Sequence, residues 1–143
     1  MLYLVHHGEA VGPEIDPRRP LSNHGRADVE RLAREAKKRG VNPTAIWHSG
    51  KLRAKQTAEA FWKACNPFAD FSASKDLQPG DSPEWVRDRL VGETADLLIA
   101  GHFPHLPALL ALLTGEGDHF PTHGIVALEQ QPDGTWRERW RAQ

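Results

Sequence analysis

Histidines and an arginine in this sequence stand where their side chains could meet and do chemistry. His6 and His7 end the short apolar run Leu2–Val5, Arg53 begins a predicted helix, and His102 directly follows the apolar run ADLLIA. A neutral imidazole nitrogen is a competent nucleophile near pH 7, and a second histidine could neutralise the oxygens of a phosphoryl group during transfer. An arginine at a helix N-terminus binds phosphate well, because its guanidinium contacts two oxygens beside exposed N–H groups. Together these residue types predict covalent phosphoryl transfer through a phosphohistidine, with no metal or other cofactor required.

Short strands and amphipathic helices that alternate along the chain would position these side chains. The predicted strands are Leu2–Val5, Ala45–His48, Phe71–Ser74, Ala95–Ala100, and a hairpin of Ile125–Glu129 and Thr135–Arg139 around the turn signal PDG. The predicted helices run from a cap at Ser22 to Gly40, from a cap at Ser49 to Pro67, from Pro83 to Leu90, and along Leu106–Leu113 to Gly115. This alternation predicts an α/β fold: a single three-layer α/β/α domain over residues 1–143, with a mostly parallel central sheet.

The residues that follow parallel strands meet at one edge of the sheet, and ligands of such folds bind beyond that edge. Polar residues follow three of the predicted strands: His6, His7 and Gly8, then His48, Ser49 and Arg53, then Gly101 and His102. The pattern therefore predicts that two histidines and an arginine converge there from separate parts of the chain.

The composition is that of an ordinary globular protein. The chain has 143 residues, 39% of them hydrophobic and 26% charged, which is enough to close one core and too apolar for disorder. A net charge of -1 argues against a dedicated binder of nucleic acid or of anionic membranes. A lone cysteine, Cys65, allows no internal disulfide. Since no secretory signal or apolar run of about 20 residues is present, we expect a cytoplasmic protein, with its oligomeric state left open.

Five stretches in this order resemble one known family, the histidine phosphatase superfamily, which has the phosphoglycerate mutase-like fold. LYLVHHGEA is similar to the opening RHG motif, and RRPLSNHGRADVERLA, HSGKLRAKQTAEAF, LQPGDSP and LLIAGHFPHL continue the match to about residue 130. The short length, RPLS and LQPGDSP are most similar to the SixA-type phosphohistidine phosphatase branch.

The resemblance implies roles for particular residues. It makes His7 the nucleophile that becomes phosphorylated, Arg53 the phosphate-binding arginine and His102 the second histidine of the pocket. Gly8 and Ser49 would support the pocket, and Arg19, in RPLS, would lie at its rim. The implied substrate is a phosphorylated molecule, with phosphohistidine on a protein favoured over a small phosphomonoester.

The sequence departs from the family at His6, where the family has an arginine. Histidine is shorter and only partly charged near pH 7, so one permanent phosphate contact is lost. Three outcomes follow from this change: activity with an acid-shifted optimum, an unusual substrate, or phosphate binding without turnover.

A carboxylic acid protonates the leaving group in the ester-cleaving branches of the family. Asp76, Asp81 and Glu84 are the candidates here, and we interpret them as solvated loop carboxylates. Imidazole is a far better leaving group than an alkoxide, so a phosphohistidine substrate has less need of such an acid.

The remaining histidines and the basic stretches favour plainer interpretations. His6, His7, His102 and His105 lack the HxH or HExxH spacing of zinc sites, so no metal site is predicted. The other histidines, His24, His48, His119 and His123, are expected on the surface or in loops. Of these, His48 and His123 could lie near the mouth of the site. The tail TWRERWRAQ is expected to be a half-buried terminal strand rather than a nucleic-acid surface, and REAKKRG a solvated helix face.

Overall fold

Strands and helices alternate through most of the computed structural model, which describes residues 1–116 and 119–143. The strands of this part of the chain are β1 (Leu2–His6), β2 (Ala45–His48), β3 (Asp70–Ala73), β4 (Leu97–Gly101), β5 (Ile125–Gln130) and β6 (Trp136–Ala142). The helices are α1 (Asn23–Lys38), α2 (Leu52–Cys65), α3 (Pro83–Arg89) and α4 (His105–Thr114). The predicted α/β class is confirmed.

The six described strands form one sheet in the order β3-β2-β4-β1-β5-β6. β1 pairs in parallel with β4, and β2 pairs in parallel with both β3 and β4. β5 pairs in antiparallel orientation with β1 on one side and with β6 on the other. Every residue of β1 and β4 is buried, which explains the continuous apolar runs Leu2–Val5 and Leu97–Ala100 within them. The mostly parallel sheet is thus as predicted.

Side chains of β1 alternate between two hydrophobic cores, one on each face of the sheet. Tyr3 and Val5 pack in the core that also contains α1 and α2. Leu2 and Leu4 pack in the core that contains α3 and α4. This division makes the predicted three layers.

The N-terminus of α1 is capped as expected. The Ser22 hydroxyl oxygen accepts the N–H of Gly25 at 2.9 Å, which satisfies one of the unpaired amides of the first turn. Gly40, with φ of +87°, lies just beyond the helix end, a conformation that favours glycine.

The predicted cap of α2 at Ser49 is wrong. The helix begins at Leu52, after Lys51, and has no side-chain cap. The Ser49 side chain instead lies 2.6 Å from Nε2 of His102, which follows β4. A hydrogen bond to the neighbouring strand end thus replaces the local cap that residue type alone favours.

The C-terminal tail forms the strand that the alternation of Trp and Arg predicts. β6 lies at the edge of the sheet, paired with β5, and its residues alternate between half-buried and exposed. Trp140 packs against Tyr3, and the guanidinium of Arg39 lies 4.6 Å from the centre of the Trp140 ring. The rings of Tyr3 and Trp140 therefore stabilise the packing of β6 on the sheet.

No helix within residues 1–116 and 119–143 has the length and apolar character needed to cross a membrane.

Candidate active site

The ends of β1, β2 and β4 bring the predicted site residues together. β4 lies between β1 and β2, so the residues after these strands are neighbours in space. The ring centroids of His7 and His102 are 5.2 Å apart. Ser49 contacts the same His102 ring from the other side of β4. The structure therefore brings His7, His102 and Ser49 together at this sheet edge.

His7 is held in one tautomer. Its Nδ1 lies 2.7 Å from the carbonyl oxygen of Gly8, a distance at which Nδ1–H donates and Nε2 keeps its lone pair. Its backbone N–H donates to the carbonyl of Gly101 at 3.1 Å, which fixes the residue against β4. Burial, with a smaller contribution from the charge of Arg53, lowers the pKa of His7 to about 4. His7 thus presents a neutral, nucleophilic Nε2 near pH 7.

A short chain of hydrogen bonds joins the His7 loop to the first turn of α2. The N–H of Gly8 donates to Oγ1 of Thr57 at 3.0 Å, and the Thr57 hydroxyl donates to the carbonyl of Arg53 at 2.8 Å. Thr57 is fully buried and was not among the predicted site residues. The sequence could have indicated Thr57, because it lies one helical turn after Arg53 and therefore on the same side of α2.

Gly8 is required by close packing against α1. A Cβ atom at this position would lie 2.4 Å from Cγ2 of Val29 and 3.2 Å from the carbonyl oxygen of Gly25. We expect Gly8→Ala to lower the free energy of unfolding by roughly 1–3 kcal/mol, the usual cost of overpacking, in a urea titration. Gly80→Ala is the matched control, because nothing lies within 4 Å of its added Cβ. Equal stability of the two variants would contradict this packing argument.

Arg53 lies in the first turn of α2 with part of its guanidinium buried. Its Nε has no hydrogen-bond partner among the residues that the structure describes. Burial and the charge of Arg19 lower the pKa of Arg53, and Arg19 also contributes to lowering the pKa of His7. Arg19 itself donates from Nε to the carbonyl of Val11 at 3.0 Å. Two arginines close to one histidine form a positively charged site that favours an anion.

His102 has one nitrogen engaged and one unpaired. Ser49 Oγ accepts the N–H of Lys51 at 3.3 Å, and we assign its hydroxyl hydrogen to Nε2 of His102, 2.6 Å away. That pairing places the ring proton on Nδ1, which is buried and has no partner within the described chain. Burial, followed by the effect of His7, lowers the pKa of His102 to about 3. His102 is thus a neutral donor whose Nδ1–H can still donate to a ligand oxygen.

His6 is not a cation in this fold. Its ring is stacked between Phe103, at 3.9 Å between centroids, and His123, at 4.9 Å. Its Nδ1 accepts the backbone N–H of His123 at 2.8 Å, so Nε2 carries the proton. Burial and the neighbouring histidines lower the pKa of His6 to about 3. This low pKa disfavours the acid-shifted optimum that a protonated His6 would produce.

His123 lies in the site, as the sequence allowed but did not require. It has a positive φ of 54°, and its Nδ1 lies 2.6 Å from the carbonyl oxygen of His7. It comes from the loop before β5, 116 residues after His7, and belongs to none of the motifs. Only the pairing of β5 with β1 brings it there.

The other predicted histidines divide between the surface and the core. His24 is exposed, as predicted, and its side chain pairs with Asp28. His48 is 4% exposed, and its Nδ1 accepts the N–H of Gly50, so the surface interpretation is wrong for this residue. His105, at the start of α4, is also buried.

The three candidate carboxylic acids each contact a neighbour outside the His7 cluster. Asp76 pairs with Arg89 at 3.6 Å, Asp81 accepts the N–H of Gln78 at 2.9 Å, and Glu84 accepts the hydroxyl of Ser82. Asp76 and Asp81 lie in the loop before α3, although the Asp76 side chain is only 19% exposed. Glu84 lies in the first turn of α3, so the loop interpretation is wrong for this residue.

Comparison with known proteins settles the family. The model of the histidine phosphatase superfamily (branch 1) matches residues 2–86, more than half of the chain. The chain belongs to this superfamily. No curated protein sequence matches it.

Several solved structures match almost the whole chain. A protein histidine phosphatase SixA complexed with tungstate has a TM-score of 0.87 at 25% identity, over 98% of this chain and 94% of that chain. A protein from Agrobacterium tumefaciens that is assigned as a SixA phosphohistidine phosphatase has a TM-score of 0.83 at 25% identity, over 99% of this chain and 96% of that one. A phosphoserine phosphatase from Entamoeba histolytica, at 13% identity, has a TM-score of 0.75 over 99% and 96% of the two chains, and shares the fold alone. Membership of the superfamily and these SixA neighbours support a phosphatase.

Proposed function

We propose that this protein is a metal-independent phosphohydrolase that forms a phosphohistidine at His7, and that its substrate is phosphohistidine in a protein. One observation carries the proposal. Nε2 of His7 has a lone pair in a site where two other buried nitrogens, Nε of Arg53 and Nδ1 of His102, lack partners among the described residues. Leaving buried donors unpaired costs free energy, and phosphoryl oxygens would satisfy both.

The proposed reaction has two displacement steps. In the first, Nε2 of His7 attacks phosphorus and the bond from phosphorus to the substrate nitrogen breaks. The substrate ring, which carries a proton on its other nitrogen, leaves with that electron pair as neutral imidazole, and the phosphorylated His7 ring takes the positive charge. Arg53 and His102 donate to the phosphoryl oxygens throughout, which stabilises the transferring group. In the second step water attacks the same phosphorus, the bond to His7 breaks, and inorganic phosphate and a proton are released.

The preference for phosphohistidine rests on the leaving group and on the relatives. A departing imidazole needs no strong acid, and the candidate carboxylates Asp76, Asp81 and Glu84 contact other partners. The two neighbours at 25% identity are described as histidine or phosphohistidine phosphatases. A small phosphomonoester would need a proton donor for its alkoxide, which makes it the second choice.

A second candidate function is phosphate binding without turnover, and His6 is the observation that favours it. A neutral, stacked His6 supplies at most one N–H to the pocket, whereas an arginine would supply a charged guanidinium that donates to two oxygens at once. Removal of one hydrogen-bond donor to an oxyanion typically lowers kcat by about 10²–10³, so a site with histidine in place of this arginine could turn over slowly.

Phosphate release and covalent labelling distinguish these functions. The full chain is incubated with a protein phosphorylated on histidine, and separately with p-nitrophenyl phosphate, with phosphate release followed in each case. Faster release from the phosphohistidine protein, with an acid-labile label on the enzyme, supports the proposal. Release mainly from p-nitrophenyl phosphate would instead indicate a phosphomonoesterase. Saturable binding with neither label nor release would indicate a binding protein.

We expect His6→Arg to raise the rate of hydrolysis at pH 8, by roughly 10-fold or more. The guanidinium would restore a permanent charge at a position where the imidazole stays neutral, and it can stack between the same two rings. The measurement is kcat/KM at pH 8, beside a thermal melt that confirms folding. An unchanged or lower kcat/KM in a folded variant would mean that His6 is specialised for this enzyme's own substrate.

A further inference from the structure

The rings of His6, His7 and His123 form a histidine cluster at the C-terminal end of β1. One ring nitrogen of each residue lies within 4.8 Å of a ring nitrogen of each of the other two. The ring centroids are 4.5 Å apart for His6 and His7, 4.9 Å for His6 and His123, and 6.1 Å for His7 and His123. Such a set of three imidazoles is a donor set that zinc and similar ions prefer.

Two of these rings are already oriented as metal ligands usually are. Nδ1 of His7 donates to the carbonyl of Gly8 at 2.7 Å, and Nδ1 of His123 is 2.6 Å from the carbonyl of His7. Metal-binding histidines commonly donate their second nitrogen to such an acceptor, which fixes the tautomer and leaves the other nitrogen for the ion. In both residues the remaining donor atom is Nε2.

We propose that the histidine cluster is a binding site for a divalent transition metal ion, Zn²⁺ in the first place, and that the bound ion inhibits the enzyme by occupying Nε2 of His7. His7 and His123 are the primary ligands. The coordination bond uses the same lone pair that would attack phosphorus, so metal binding and phosphorylation of His7 exclude each other. Mg²⁺ and Ca²⁺ require oxygen ligands and do not fit this donor set.

His6 is the ligand that must rearrange. Its Nδ1 accepts the N–H of His123, so coordination requires the ring to turn and to release this hydrogen bond. The ligand nitrogens must also approach, because atoms bound to one zinc at about 2.1 Å are closer together than the 4.8 Å limit of the cluster. We therefore expect His6 to be the weakest of the three ligands.

The charge of the surroundings sets a moderate affinity. Arg53 and Arg19 act electrostatically on His7, and their positive charge opposes a dication. A hydroxide or phosphate anion in the fourth coordination position offsets that repulsion. An arginine at position 6, as in the motif that this sequence resembles, would remove a ligand and add a further cation.

Metal titration of the full chain, freed of metal and without substrate, tests the site. Titration with ZnCl₂ by calorimetry should show one ion per chain, and CoCl₂ should produce the visible absorption bands of a tetrahedral nitrogen site. His123→Gln and His6→Arg should each weaken Zn²⁺ binding by at least about 10-fold, whereas MgCl₂ should give no signal. His24→Gln, a substitution of an exposed histidine on α1, should bind Zn²⁺ like the unaltered chain.

The outcomes separate this site from the proposed reaction. Equal Zn²⁺ affinity of His123→Gln and the unaltered chain would overturn the site, as would an absence of binding by the unaltered chain. The inhibitory half of the proposal rests on the proposed function and predicts that Zn²⁺ prevents both labelling of His7 and phosphate release. In a chain that shows no turnover, the titration alone decides the metal site.

Discussion

Replacing His7 with asparagine is expected to abolish turnover, with a loss in kcat of at least about 10³-fold. Asparagine retains an N–H that can donate to the carbonyl of Gly8, as Nδ1 of His7 does at 2.7 Å, but it has no counterpart of Nε2. The variant therefore removes the nucleophile while keeping the local hydrogen bond. The measurements are phosphate release and acid-labile labelling of the enzyme, both of which should be lost.

His24→Asn is the matched control for this result, since His24 is exposed on α1 and pairs with Asp28 outside the site. Its turnover and labelling should equal those of the unaltered chain. Persistent acid-labile label in His7→Asn would move the nucleophile to another residue, and full turnover without label would rule out the covalent route.

Replacing Arg53 with methionine is expected to lower kcat/KM by about 10²–10³, because a charged donor to the phosphoryl oxygens is removed. The same substitution should leave the melting temperature unchanged or raise it. Nε of Arg53 is buried without a partner in the described structure, and burial together with Arg19 lowers its pKa, so the charge costs stability when no anion is bound. Kinetics and a thermal melt of the same preparation check both parts.

Two further variants sharpen the test of Arg53. Arg53→Lys should recover only part of the activity, because an ammonium is a point charge and cannot contact two oxygens as a guanidinium does. Arg31→Met, at an exposed position of α1, should behave like the unaltered chain. A large fall in melting temperature for Arg53→Met, with unchanged kinetics, would make Arg53 a structural residue instead.

The placement of the candidate site could be predicted because it depends on strand order and chain position. His7 and His102 each directly follow a buried apolar strand, and parallel pairing with one neighbour brings such positions to the same sheet edge. Arg53 follows from the same logic, since it lies in the first turn of the helix after β2. These positions are set by short-range patterns that a sequence displays directly.

The partners of individual side chains could not be predicted in the same way. Ser49 looked like a helix cap because its residue type and position suit one, yet its side chain pairs with His102, 53 residues away. Likewise His48 looked like a surface or loop residue, but it is buried, and its ring centroid lies 5.0 Å from that of Phe71 in β3. In both cases a contact between different elements outweighs a local preference.

The sequence by itself determined the alternation of strands and helices, the three-layer α/β/α class, and the polar residues that stand at the strand ends. Those features follow from hydrophobic spacing and from turn and cap residues, all of which act over a few positions. Only the tertiary structure decided the electrostatic state of the site and its full membership. It buries His6 between two rings, which lowers the pKa of His6 to about 3 and keeps it neutral. It also brings His123 to His7 from 116 residues away, because antiparallel pairing of β5 with β1 is a long-range contact that no local pattern encodes.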